Sequence, residues 1–169
     1  MNVLSHFKYA SYLLRHKWFV LIECFKAGLY IQGIVHDASK FLPREWIPYV
    51  RFFYGKDATD EARESRYQSI DSAQRYFQRA WQMHLMCNKH HWQNWVNFQD
   101  IGTQVVLEMP HRYAKEMVCD WIGAGRAQGY YDKNDPWKEV NVWYKKNKDR
   151  IIIHPDTRKY IESILKEED

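Results

Sequence analysis

The chain has 169 residues, enough for one domain with a substantial hydrophobic core. The net charge of +4 comes from interspersed charges without a run of five like residues, which argues against a nucleic-acid-binding arm. Cys24, Cys87 and Cys119 are widely spaced, which excludes a disulfide framework and a thiolate zinc site. The apolar stretch 18–25 is short for a bilayer span and contains Glu23. We therefore expect a cytoplasmic protein.

The first half of the chain is predicted to be helical. Apolar residues recur every three or four positions over 4–27, and Gly28 is a natural helix stop. A second short helix or turn is expected at 30–35. The next helix is predicted at 43–54, with Pro43 in its first turn and Gly55 at its end.

The second half continues the helical pattern with one ambiguous segment. Residues 56–66 are charged and predict an exposed connection. Helical periodicity then resumes near Ser69 or Asp71 and continues to about residue 88. Within the ambiguous segment 92–109, residues 105–107 fit either a short strand or an apolar approach to the next helix.

Two further helical regions complete the prediction. Pro110 opens a helix that is expected to reach Ala124. Three glycines, Gly123, Gly125 and Gly129, weaken the helix near this end. Residues 137–165 predict two helices with a bend at His154-Pro155. We therefore predict an all-α helical bundle that forms a single domain over residues 1–169.

The pair His36-Asp37 is the first candidate for chemistry. It ends the apolar run 29–35, where burying an imidazole and a carboxylate without partners costs several kcal/mol, about 2–7 per neutral polar group. A divalent metal satisfies both groups, and this donor mixture suits Zn, Fe, Mn or Co. The alternative to metal binding is that His36 and Asp37 form a hydrogen-bonded pair that caps a turn. Other helices supply further candidate ligands: His16, His84, His90, His91 and Asp120.

The order of these residues resembles the H…HD…H…HH…D order of the HD-domain superfamily of metal-dependent phosphohydrolases. The chain is also similar to an uncharacterised HD-like family of bacteria and phages. Four segments carry the closer similarity: Leu14-Arg15-His16-Lys17-Trp18, His36-Asp37-Ala38-Ser39-Lys40-Phe41, Asn88-Lys89-His90-His91-Trp92 and Glu116-Met117-Val118-Cys119-Asp120-Trp121.

The resemblance implies a helical HD-type bundle that holds one or two metal ions. Mg joins Zn, Fe, Mn and Co among the expected metals. The first ion would be held by four residues: His16, His36, Asp37 and Asp120. Asp37 would bridge to a second ion held by His84 and either His90 or His91. The short His84–His90 gap leaves the second site and the choice of histidine open. The chain has no Gly-Tyr-Pro motif, which argues against a cyclic-dinucleotide substrate.

Roles in the reaction are expected for further residues. Asp37, Lys40 and Glu116 are the candidate catalytic residues, with Glu116 orienting a ligand or donating a proton. Lys40 and Arg15 are candidate contacts for a substrate phosphate. Asn88, one helical turn after His84, is a candidate for substrate binding or for support of a metal ligand.

The favoured function is hydrolysis of a nucleotide or another small phosphoester by metal-activated water. Two alternatives remain: an HD-type di-iron oxygenase, and a non-catalytic interaction module of phage origin with a structural metal. We expect no membrane partner and no duplex nucleic acid, and the oligomeric state stays open. Trp92 and Trp95 fit core packing better than stacking on a nucleobase.

Overall fold

The computed structural model describes residues 2–55, 72–130, 132, 135 and 137–166. These residues are mostly helical, as predicted, with seven α-helices and a two-stranded sheet among them. The α-helices are α1 (Val3–Lys26), α2 (Tyr30–Val35), α3 (Pro43–Tyr54), α4 (Ser72–Cys87), α5 (His111–Gln128), α6 (Lys138–Asn147) and α7 (Pro155–Lys166). Short 3₁₀ turns lie at Ala38–Phe41, Trp92–Trp95 and Lys148–Arg150.

Glycines end two of the long helices. Gly28 follows α1 with a φ of 76°, a left-handed conformation that favours glycine. α5 was predicted to end at Ala124, and this prediction is wrong, because the helix continues to Gln128. Its end is set by Gly129, which has a φ of 92° and donates its N–H to the carbonyl of Arg126. Only the last of the three glycines therefore ends the helix.

The ambiguous segment before α5 forms a small β-hairpin. Strand β1 (Val96–Phe98) pairs antiparallel with β2 (Gln104–Val106), and Val96 lies opposite Val106. The strand alternative for 105–107 is confirmed in part, because β2 starts one residue earlier and ends one residue earlier. Between the strands, Gly102 has a φ of 79° and donates its N–H to Gln99.

The chain forms two compact units. Unit 1 comprises Met1–Arg15 and Asp37–Asn88, and its core is rich in aromatic side chains. In that core Phe52 stacks on Phe77 with ring centroids 4.1 Å apart. The connection predicted at 56–66 lies outside the described residues.

Unit 2 comprises His16–His36 and Lys89–Asp169. Its larger core gathers mostly aliphatic side chains from α5, α6, α7 and the segments before α5 and α7. Trp92 and Trp95 pack against this core, in agreement with the packing interpretation. A smaller cluster joins Val20 and Cys24 of α1 to Cys119 of α5. In the described part of the chain, no helix combines the length and apolar character needed to cross a membrane.

The contact between α1 and α5 in unit 2 is unusually close at Gly123. A Cβ at this position would meet the side chain of Val20 and would lie 2.9 Å from the backbone N of Val20. The absence of a side chain at Gly123 is therefore what lets these two helices approach. Because α5 also carries Glu116 and Asp120, this packing fixes the position of a helix with candidate site residues.

We predict that Gly123→Ala lowers the free energy of unfolding by about 1–3 kcal/mol, because the added methyl forces α1 and α5 apart. Gly125→Ala is the matched control in the same helix, since its Cβ would meet only Tyr130 O, at 3.6 Å. That control is expected to be neutral or stabilising because alanine favours helix more than glycine does. Urea unfolding measures both, and equal stability of the two variants would contradict the packing role of Gly123.

Candidate metal centre

Five residues of unit 2, four of them buried and Asp120 partly exposed, form a group of imidazoles and carboxylates. His16 lies on α1, His36 directly follows α2, and His90 follows α4. Glu116 and Asp120 lie one turn apart on α5. All three histidines are buried, with His36 and His90 each 1% exposed. Four of the five were predicted as metal ligands, and Glu116 as a supporting or proton-donating residue.

Glu116 orients two of the imidazoles. Its Oε1 lies 3.1 Å from Nδ1 of His36 and 3.1 Å from Nδ1 of His90. An ionised carboxylate only accepts hydrogen bonds, so in each contact the imidazole Nδ1–H is the donor. In the neutral imidazole the other nitrogen, Nε2, then carries the lone pair that a metal requires.

The Nε2 atoms of the three histidines face the carboxylate of Asp120. The distance to Oδ1 is 3.1 Å from His16 and 3.4 Å from His36. His90 Nε2 lies 3.9 Å from Oδ2. The ligand atoms that His16, His36 and Asp120 offer all lie within 4.8 Å of one another. Side chains from separate helices therefore converge on one point.

These separations fit a shared cation. Two ligand atoms bound to one ion at about 2.1 Å lie roughly 3.0–3.4 Å apart at octahedral or tetrahedral angles. The contacts of Asp120 Oδ1 with His16 and His36 fall in this range. The donors are imidazole nitrogens and a carboxylate oxygen, a mixture that suits Zn, Mn, Fe or Co. The residues present thus fit a divalent metal.

The negative charge of the two carboxylates also favours a bound cation. Burial opposes ionisation of Glu116, but hydrogen bonds from His36 and His90 outweigh it and hold the pKa of this carboxyl below its usual value. For Asp120, burial is likewise outweighed by hydrogen bonds from His16 and His36, which hold its pKa well below the usual value. Both carboxylates are therefore anionic, and their charge of −2 is balanced either by protonated imidazoles or by one divalent cation.

The backbone around His36 is held by Lys17. Its Nζ donates to the carbonyl of His36 at 2.6 Å and to that of Ile34 at 3.1 Å. Carbonyls at a helix C-terminus have no partner within the helix, so a cation there satisfies them and favours the helix dipole. Lys17 therefore fixes the end of α2, from which His36 projects.

Unit 1 contains a second buried polar group, centred on Asp37 and His84. Asp37 has a φ of 53°, the one positive φ among the described residues other than glycine. Such a conformation costs about 1–3 kcal/mol and persists where the surroundings enforce it. The Asp37 carboxylate accepts from Lys40 Nζ at 2.6 Å, and its other oxygen lies 3.3 Å from His84 Nε2.

The environment of His84 favours a neutral imidazole. Burial lowers the pKa of His84, although its hydrogen bond with Glu45 and the charge of Asp37 act in the opposite direction. Nδ1 of His84 lies 2.9 Å from Oε2 of Glu45. A neutral imidazole is the form that binds metal, so Asp37 and His84 are a compatible ligand pair within unit 1.

The remaining predicted site residues lie in different environments. Asn88 Nδ2 donates to the carbonyl of His84 at 2.8 Å and to Ser39 Oγ at 2.9 Å, which places Asn88 beside a predicted ligand. His91 is half-buried, and its ring centroid is 4.2 Å from that of His90. Arg15 is exposed and lines an open groove of unit 1 with Lys8 and Tyr54.

Sequence reasoning missed Glu45 and Lys17. Glu45 looks like an exposed first-turn carboxylate, yet it belongs to the buried stripe of α3 together with Tyr49 and Phe52. This i, i+4, i+7 spacing is the signal that could have identified it. The bond from Lys17 to the backbone of His36 carried no comparable signal, because it depends on how α1 packs beside α2.

The comparisons with known proteins identify a family. The model of a family of unknown function, DUF5662, matches residues 5–167, and the chain therefore belongs to this family. No curated protein and no solved structure matches the chain. The similarity to the HD-domain superfamily stays a prediction that rests on the order of the histidines and aspartates.

We predict that a divalent transition metal stabilises the protein through Asp120. A ligand present at one hundred times its dissociation constant stabilises the native state by about 2.7 kcal/mol. Adding Zn or Mn to metal-free protein should therefore raise the melting temperature of the wild type by more than that of Asp120→Asn, which lacks an anionic ligand in unit 2. Asp100→Asn, which alters an exposed aspartate, is the control. An equal metal-induced shift in all three proteins would contradict the assignment.

A second prediction concerns acid unfolding of the metal-free protein. The pKa of Glu116 is lowered in the native state, so its contribution to stability is complete above the unfolded-state pKa of about 4.3. That contribution is lost as the pH falls through the lower native value. Between pH 6 and pH 3 the free energy of unfolding should decrease less in Glu116→Gln than in the wild type. Urea titrations at each pH measure this, and identical pH dependence would refute the ionised pairing.

Proposed function

We propose that this protein is a metal-dependent phosphohydrolase of the HD type that acts on a nucleotide or another small phosphoester. The proposal rests on two observations: the sequence similarity and the polar group of unit 2. The observation that carries it is the approach of His16 Nε2 and His36 Nε2 to one oxygen of Asp120. Burying so many ionisable groups costs stability, and a catalytic metal is a reason to keep them.

The proposed ligands divide between the two units. His16, His36 and Asp120 would hold an ion in unit 2, with His90 as a further donor. Asp37 and His84 of unit 1 are the proposed ligands of a second ion. When bound, such an ion supplies Lewis acidity that makes water a nucleophile near neutral pH and neutralises charge on a phosphoryl oxygen.

The protein side chains supply orientation and charge in this mechanism. Glu116 holds His36 and His90 with their Nε2 lone pairs directed away from it, and therefore acts as a positioning residue. Lys40 is only partly exposed and keeps its ammonium 2.6 Å from Asp37. We assign Lys40 to a phosphoryl oxygen of the substrate, because a compact ammonium is a suitable point charge for phosphate.

The test is a hydrolysis screen with designed variants. Metal-free protein is reloaded with Mn, Co, Zn, Mg or Fe and assayed on nucleoside monophosphates and simple phosphoesters. We predict phosphate release that falls at least about 100-fold in Asp37→Asn, because Asn keeps the left-handed backbone conformation but lacks the anionic ligand. Asp149→Asn, an exposed position on a 3₁₀ turn, should retain activity.

Two results would overturn the phosphohydrolase proposal. One is the absence of phosphate release with every metal and substrate class in the screen. The other is equal activity in the wild type and Asp37→Asn. Iron-loaded protein that consumes dioxygen but releases no phosphate would instead favour the oxygenase alternative.

A further inference from the structure

Glu45 is a buried carboxylate whose location needs a physical reason. Its side chain is fully enclosed, with 0% exposure, in the first turn of α3. An ionised carboxylate is rarely retained in such a place unless polar partners satisfy it. Its partners are Nδ1 of His84, 2.9 Å from Oε2, and Ser39 Oγ, which donates to the same oxygen at 3.2 Å.

The contact with His84 determines which imidazole nitrogen carries the proton. Glu45 faces Nδ1 at 2.9 Å, whereas Asp37 faces Nε2 at the longer distance of 3.3 Å. Both carboxylates are acceptors, and the neutral imidazole has one N–H to share between them. The shorter contact places the hydrogen on Nδ1.

The amide of Asn88 does not compete for this assignment. Asn88 Nδ2 lies 3.0 Å from Nδ1 of His84, which is close enough for a hydrogen bond. The amide has two hydrogens, and its shorter contacts are with the carbonyl of His84 at 2.8 Å and Ser39 Oγ at 2.9 Å. Both hydrogens are thus directed to oxygen atoms, which leaves Nδ1 of His84 to donate to Glu45.

We propose that Glu45 is a positioning residue: it locks His84 as the Nδ1–H tautomer and so directs the Nε2 lone pair of His84 toward Asp37. The inference rests on the proposed function only in giving that lone pair a cation to bind. With Nδ1 protonated, an imidazole lone pair and a carboxylate oxygen face each other at 3.3 Å. Two acceptors at this distance are stabilised when a cation lies between them.

Glu45 thus has the same relation to His84 in unit 1 as Glu116 has to His36 in unit 2. In each case a buried carboxylate accepts from Nδ1 and leaves Nε2 toward an aspartate. Carboxylate partners of this kind fix the orientation of metal-binding histidines and raise their basicity. The repeated arrangement supports a common purpose for the two glutamates.

The wild-type protein provides the first test without any substitution. Imidazole-¹⁵N-labelled, metal-free full-length protein is studied at pH 7.5 by long-range ¹H–¹⁵N correlation, which distinguishes the two tautomers. The His84 signals are assigned by their absence in His84→Gln. We predict a protonated Nδ1 and an unprotonated Nε2. A His84 that carries its hydrogen on Nε2 overturns the proposal.

Variants of Glu45 provide the second test. Glu45→Leu removes the acceptor, so we predict loss of the fixed tautomer and zinc affinity about 10–100-fold weaker at the site that depends on His84. Glu45→Gln retains a carbonyl acceptor and should keep the Nδ1–H tautomer, with an affinity loss below about tenfold. Glu139→Leu, which removes a carboxylate from α6, is the control and should match the wild type.

The outcomes separate this inference from the proposed function. A folded Glu45→Leu with an unchanged tautomer and unchanged zinc affinity rejects the role of Glu45, whether or not the protein hydrolyses phosphoesters. The predicted tautomer and affinity changes support the role even if no phosphoester is hydrolysed. If Glu45→Leu does not fold, the wild-type and Glu45→Gln spectra still decide the question.

Discussion

Buried negative charge is the constraint on which the candidate centre in unit 2 depends. Glu116 and Asp120 lie on one face of α5 and remain ionised, although removal from water opposes ionisation. Such carboxylates are tolerable inside a protein only when positive charge or several hydrogen bonds compensate them. Imidazoles from three other parts of the chain surround them, and a divalent ion would balance the charge while leaving these imidazoles neutral.

Local backbone features hold the ligands in place. Lys17 binds the carbonyl of His36, and the left-handed conformation of Asp37 turns the chain immediately after that residue. The close contact at Gly123 holds α5 against α1, which carries His16. Each feature costs conformational freedom or helix propensity, and such costs are typical of sites where geometry matters more than stability.

Much of the fold could be predicted because helix periodicity and glycine stops are local signals. The range of α3 was predicted without error, and the pattern from 4 to 27 matches α1 within one residue. The end of α5 was predicted too early. Glycine within a helical pattern usually indicates the end of the helix, but here Gly123 lies where a neighbouring helix packs closely. A strand at 105–107 was only one of two alternatives, and its partner strand β1 was not predicted, since a three-residue strand has too short a pattern to be distinguished from a helical one.

The candidate site was predictable in its residue types but not in its arrangement. Histidines and aspartates at suggestive spacings identified the group that the structure brings together around Asp120. Their orientation depends on Glu116 and Glu45, whose role follows from burial and from which nitrogen they face. That information is three-dimensional, although the position of Glu45 on the apolar stripe of α3 was available from periodicity alone.

Anomalous X-ray diffraction from crystals grown with manganese or zinc would locate an ion bound by these residues. We predict an anomalous peak at about 2.0–2.3 Å from Nε2 of His16, Nε2 of His36 and a carboxylate oxygen of Asp120. Imidazoles hydrogen-bonded directly to Asp120, with no anomalous density among them at saturating metal, would contradict this prediction.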